Sequence, residues 1–133
     1  MTTRADAADL LEQAKAFDEA ADALSPKVND AGTPLEDRKK LFQQSLSLRS
    51  EAFKLRTQAA ENTTKELSVE VAALKAEIER AKKVLGSIAK VKAVIDVGTS
   101  LTKLAAAIAT GQPAGIASAL SALKTDVDRV QHG

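Results

Sequence analysis

Apolar residues recur three and four positions apart along most of the chain, and nowhere do β-branched residues alternate with period two. The pattern predicts helices and no sheet. The first stripe is Ala7, Leu10, Leu11, Ala14, Phe17, Ala21 and Leu24, a one-sided face over 3–24. Thr3 can cap it, with Asp6 three residues on. Residues 25–34, SPKVNDAGTP, combine Pro, Asn, Asp and Gly and read as a loop.

Thr33-Pro34-Leu35-Glu36 is the next start signal, with Thr as cap and Pro in the first helical position. No Gly or Pro follows until Gly86. An unbroken helix over 34–110 would be about 115 Å long at ~1.5 Å per residue. Two signals disagree over such a helix. Thr63-Thr64-Lys65-Glu66 is a second capping box and suggests a new start. Against it, Leu46, Phe53, Ala60, Leu67, Leu74, Ala81, Ile88 and Ile95 fall at intervals of seven straight through that point. The surviving register favours a continuous or gently kinked helix. From Leu67 onward a second heptad position fills with Val71, Ile78 and Leu85, as in a coiled-coil seam. In the first half the apolar load falls on Leu41, Leu48, Ala52, Leu55 and Ala59 instead.

Gly98 weakens the helix around 96–100 by about 0.5–1 kcal/mol relative to Ala. Thr110-Gly111-Gln112-Pro113 ends it and opens the last helix, whose stripe is Ile116, Leu120, Leu123, Val127 and Val130. So short a connection makes antiparallel neighbours. The expected fold is therefore all-α: an elongated helical bundle or coiled-coil hairpin with one long central helix (34–110, kinked near 61–64 and 96–100) and shorter antiparallel helices at each end, in a single domain over 1–133. If the long helix is straight, 57–90 lacks a partner within the chain. The seam of Leu67, Val71, Leu74, Ile78, Leu85 and Ile88 must then meet another copy or a helical partner. If it breaks at Thr63, a four-helix bundle could bury everything internally.

Composition narrows the function by exclusion. The chain of 133 residues is 44% hydrophobic but only 2% aromatic, with no Cys, Tyr or Trp and a single His. Without Cys there is no disulfide framework, thiolate metal site or cysteine nucleophile. His132 stands beside the C-terminus, where chains fray. There is no metal-ligand spacing, no GxGxxG and no GxxxxGK[ST]. No enzyme site, cofactor or small-molecule substrate is expected. The N-terminus carries Asp6, Asp9 and Glu12 where a Sec signal needs an apolar run, which points to the cytoplasm and leaves leaderless export open.

A net charge of +1 hides an asymmetry. Residues 1–33 hold three basic and seven acidic side chains (net −4), whereas 34–110 hold 14 basic and nine acidic (net +5). The acidic first helix is expected to lie along the basic middle segment. The cluster Arg80, Lys82, Lys83, Lys90 and Lys92 makes nucleic acid a conceivable partner, but the near absence of aromatics argues against it.

The stretch 80–97 is amphipathic, and 104–123, LAAAIATGQPAGIASALSAL, is an uncharged hairpin. Val84, Val91, Ile95, Leu104, Ile108, Ile116 and Leu120 are the lipid-facing candidates if these segments meet a membrane. The layout resembles, in arrangement only, the α-helical pore-forming toxins, with no residue-by-residue match. Ala is nearly neutral toward lipid, and Thr110, Gln112 and Pro113 oppose insertion. Each arm within 104–123 is too short to span a bilayer, and no stretch reads as an ordinary transmembrane helix. The leading expectation is a non-enzymatic interaction or self-assembly module using the heptad seam. A membrane-active protein is the alternative.

Overall fold

The computed structural model describes residues 2–87 and 90–132. Five helices account for most of them: α1 (Ala7–Val28), α2 (Leu35–Ala60), α3 (Val71–Leu85), α4 (Val91–Thr110) and α5 (Pro113–His132). Two dipeptide strands, β1 (Arg4–Ala5) and β2 (Lys65–Glu66), pair antiparallel. The all-α class follows from the helical periodicity, but the long central helix does not form. In place of one helix, the 34–110 stretch holds α2, α3 and α4, with 61–70 outside any helix and α3 ending at Leu85.

The interruption at 61–70 has identifiable causes. Asn62 and Ser68 adopt left-handed φ values of 57° and 58°, which reverse the chain on either side of β2. The N-terminal segment then fixes the loop by backbone bonds. Leu67 N–H donates to the Thr3 carbonyl and Val71 N–H to the Thr2 carbonyl, each at 2.8 Å. The second of these serves the first turn of α3, whose N-cap Glu70 supplies no side-chain bond. The unbroken heptad register across this loop is thus coincidental. The Thr63-Thr64 capping box starts no helix, because Lys65 and Glu66 pair with Ala5 and Arg4 instead.

Other boundaries also move. Asp6 rather than Thr3 caps α1, in a reciprocal box with Asp9. The helix continues through Pro26 to Val28, four residues into the expected loop. α2 starts at Leu35, one residue later than the Thr-Pro signal places it: Pro34 rather than Thr33 holds the cap position, and no side chain caps the helix. No break occurs at 96–100; α4 runs through Gly98.

Successive helices alternate in direction. Asp22 meets Arg49 and Asp18 meets Arg56, so α1 and α2 are antiparallel. Lys75 reaches Asp9 and Lys82 reaches Glu19, so α3 runs parallel to α1. α1, α2, α4 and α3 form a closed ring of neighbours, and α5 packs on α3 and α4. The core is aliphatic around one aromatic, with Phe17, Leu10, Leu24, Leu41, Leu48, Leu55, Leu74, Leu101 and Leu104 all fully buried.

Two lysines close helix C-termini from a distance. Lys27 Nζ donates to the carbonyls of Leu85 (3.1 Å) and Ser87 (2.6 Å) at the end of α3. Lys65 Nζ donates to the Ala109 carbonyl (3.0 Å) at the end of α4, beside the left-handed Gly111. A cation there complements the negative end of the helix dipole and satisfies orphan carbonyls.

Candidate functional site

The heptad seam is core. Leu67, Val71, Leu74, Ile78 and Leu85 are buried within the chain, and Ile88 lies outside the described residues. Reading them as a free partner surface is corrected by the break at 61–70, which turns α3 back against α1, α4 and α5. The lipid-facing candidates fare similarly. Val84, Leu104, Ile108 and Ile116 are buried, and Val91, Ile95 and Leu120 are half-buried.

The short arms expected of the hairpin are longer in the fold. α4 and α5 each span 20 residues, about 30 Å at ~1.5 Å per residue. By length and composition Val91–Thr110 could cross a membrane, a point the sequence reading missed, though half of that window is buried here.

The acidic first helix does lie along the basic middle segment. Lys75 sits between Asp9 (3.1 Å) and Glu12 (2.5 Å), and Lys82 between Glu19 (2.9 Å) and Glu79 (3.0 Å). The bond from Glu12, reinforced by Asp9, holds the Lys75 ammonium above its ordinary pKa. Burial works against the Lys82 charge, but Glu19 and Glu79 outweigh it, and the pKa rises. The Lys82 bond in turn holds Glu19 below the usual carboxylate range. Arg80 bridges α3 to α5 through Asp128 (2.5 Å) and Gln131 (2.7 Å), and also pairs with Glu77. Two of the five residues in the basic cluster are therefore engaged inside the molecule.

A groove of about 310 Å³ runs between α1 and α3, lined by Glu12, Gln13, Glu19, Lys75, Ile78 and Glu79 among others. Of its charged lining, Lys75 and all three glutamates are already partnered. Gln13 is 1% exposed, and neither its amide oxygen nor its amide nitrogen has a hydrogen-bond partner or solvent contact. Among the described residues no group of three His, Cys, Asp or Glu side chains could hold a metal ion.

What remains is an apolar surface the sequence reading did not single out. Leu35, Phe42, Leu46 and Phe53 are all on α2 and are 57%, 51%, 51% and 66% exposed. At 3.6 residues per turn they fall within about 20° of one line along the helix. The inward stripe, Leu41, Leu48, Ala52, Leu55 and Ala59, is centred about 120° away around the helix. α2 thus has two apolar stripes, and only one can face the core. The signal was present: Leu46 and Phe53 belong to the heptad series that the structure divides between core and surface. Two of the chain's three Phe residues stand on this outer ridge. Arg49 and Arg56 flank it on the α1 side, paired with Asp22 (2.6 Å) and Asp18 (2.5 Å).

No protein-family model, no curated protein and no solved structure matches the chain.

Proposed function

We propose that the chain is a non-enzymatic helical interaction module whose docking face is the outer ridge of α2. The observation that carries this reading is the exposure of Leu35, Phe42, Leu46 and Phe53 on one line of one helix. Each uncovers roughly 100 Å², about 400 Å² together, the size of the largest apolar patch on a typical monomer, which is often functional. Their partner is a protein surface with an apolar helical face, because a straight row of Leu and Phe fits side-chain packing and offers no polar recognition.

The test is site-specific photo-crosslinking in cells of the source organism, with p-benzoylphenylalanine at Leu46 and, as control, at the exposed Lys83 on α3. The reading expects a discrete adduct from position 46 only, lost when Phe42→Asp and Phe53→Asp are added. Absence of any adduct at 46 overturns it.

A second reading, a membrane-active protein, is favoured by one observation: α4 has the length and composition of a membrane span. It requires α4 and α5 to leave the bundle, since Leu104, Ile108 and Ile116 are buried. Flotation of the intact protein with anionic and neutral vesicles tests it, and failure to float with either ends it.

A further inference from the structure

The ridge is spaced symmetrically. Leu35, Phe42, Leu46 and Phe53 are separated by seven, four and seven residues. The pattern therefore reads the same in both directions about Gln44, with Leu and Phe exchanged. Two copies of α2 laid antiparallel place Leu35 opposite Phe53 and Phe42 opposite Leu46 at every layer of the contact. Each layer joins one aliphatic and one aromatic side chain, so no two Phe rings compete for one place.

From this relation we infer that the occupant of the ridge is a second copy of the chain, in an antiparallel two-fold contact centred at Gln44. The inference rests on the reading of α2 as a docking face. Three further observations carry it. From Leu35 to Phe53 is 18 residues, five turns of 3.6, so the ridge runs straight for about 27 Å and two copies meet along its whole length. About 400 Å² of apolar side chain from each copy covers much of the ~1,200–2,000 Å² total that a stable interface buries, and the flanking stems of Lys39, Gln43 and Arg49 extend it. Charge does not oppose the approach. In this register Arg38 comes level with Ser50 of the other copy, and Lys39, 3.8 Å from Glu36, comes level with an Arg49 already balanced by Asp22 at 2.6 Å.

Sedimentation equilibrium of the purified full chain, from micromolar to millimolar, reads the association. The expected mass rises from 14.0 kDa to twice that value. The variant Phe42→Asp with Phe53→Asp stays monomeric at every concentration, with an unchanged helical circular-dichroism spectrum because both positions are exposed. Orientation is read by spin labels at Gln43→Cys and Thr57→Cys, one at a time, in a chain that has no native Cys. The antiparallel contact expects a short separation at 43 and an axial separation of about 40 Å at 57. A parallel dimer gives similar short separations at both sites and overturns the inference, as does a dimer indifferent to the two Asp substitutions. A protein that stays monomeric at millimolar concentration overturns it as well. If position 46 still crosslinks to a different protein in cells, the docking reading survives without the second copy; if it crosslinks to nothing, both fall.

Discussion

The Gln44 side chain occupies the space that a side chain on Gly98 would need. A Cβ built on Gly98 falls 2.8 Å from Gln44 Cδ and closer still to its Oε1. Through that gap Gln44 Nε2 donates to the Ile95 carbonyl (2.9 Å) and to Thr99 Oγ1 (3.0 Å), joining α2 to α4. Gly98 is thus a packing residue, and its helix penalty is the condition for this contact.

Substitution at this pair should show a reversal of sign. In the native background Gly98→Ala displaces Gln44 and loses two hydrogen bonds, each contributing about 1 kcal/mol, against a gain of about 1 kcal/mol in helix propensity. The expected net effect is a destabilisation of about 1 kcal/mol. With Gln44→Ala already in place, Gly98→Ala should instead stabilise by about 0.5–1 kcal/mol. Urea unfolding of the four proteins in the cycle measures the coupling. Additive effects would show that Gln44 does not hold Gly98 in place.

Gln13 lies on the buried face of α1 between Leu10 and Phe17 with no partner for either amide atom. An unsatisfied buried amide costs about 1–3 kcal/mol. Gln13→Met keeps the length and removes the polar atoms. It should raise the urea midpoint by a comparable stabilisation; a lower midpoint would mean the amide is satisfied in solution.

Leu74 and Ile78 are fully buried on α3. Each Asp placed there puts a charge or a neutral carboxyl in an aliphatic core, at a cost of roughly 3 kcal/mol or more. Native stabilities are ~5–15 kcal/mol, so the double substitution should unfold the chain. Far-UV circular dichroism reads the loss of helix. Retained helicity would restore the seam as a partner surface.

The ion pairs between α1 and α3 should set the acid limit of stability. Burial is the largest single influence on Asp9 and disfavours its ion, but the Asp6 backbone bond and Lys75 together outweigh it, and its folded pKa lies below the ordinary 3.8. Glu19, bonded to Lys82, lies below the ordinary 4.5. Both contributions are fully present above those ordinary values and are lost as pH falls through the lower folded ones. Lys75 and Lys82, whose folded pKa values are raised, contribute fully below the ordinary 10.5 and lose that contribution as pH climbs through the folded values. Lys65 has the opposite sign: burial lowers its pKa, so stability from this residue grows as pH rises toward 10.5. Thermal melts across pH 2–6 should show a falling midpoint below about pH 4, and Lys75→Met should shallow that fall.

Much of this was legible one helix at a time. The inward stripe of α2, from Leu41 to Ala59, and the turn at Gly111 depend only on residues near in sequence, so periodicity and turn chemistry reveal them. Pairing of the acidic first helix with the basic middle followed from the signs of the charges. The break at 61–70 was harder, because it holds two left-handed residues, Asn62 and Ser68, and a strand whose partner, β1, lies some 60 residues away. A two-residue strand carries no periodicity of its own to announce it.

By itself the sequence determined helical class, the approximate spans of the first and last helices and the absence of motifs for common catalytic chemistry, since these are set by local propensity and residue type. Only the tertiary structure decided which apolar stripe faces inward. Leu74 and Phe53 share one heptad register, yet one is fully buried and the other is 66% exposed. The difference is where neighbouring helices land: α3 turns into the ring of helices, while α2 meets α1 and α4 on its other faces and leaves Phe53 uncovered. Burial depends on that long-range placement, and a pattern along one helix does not contain it.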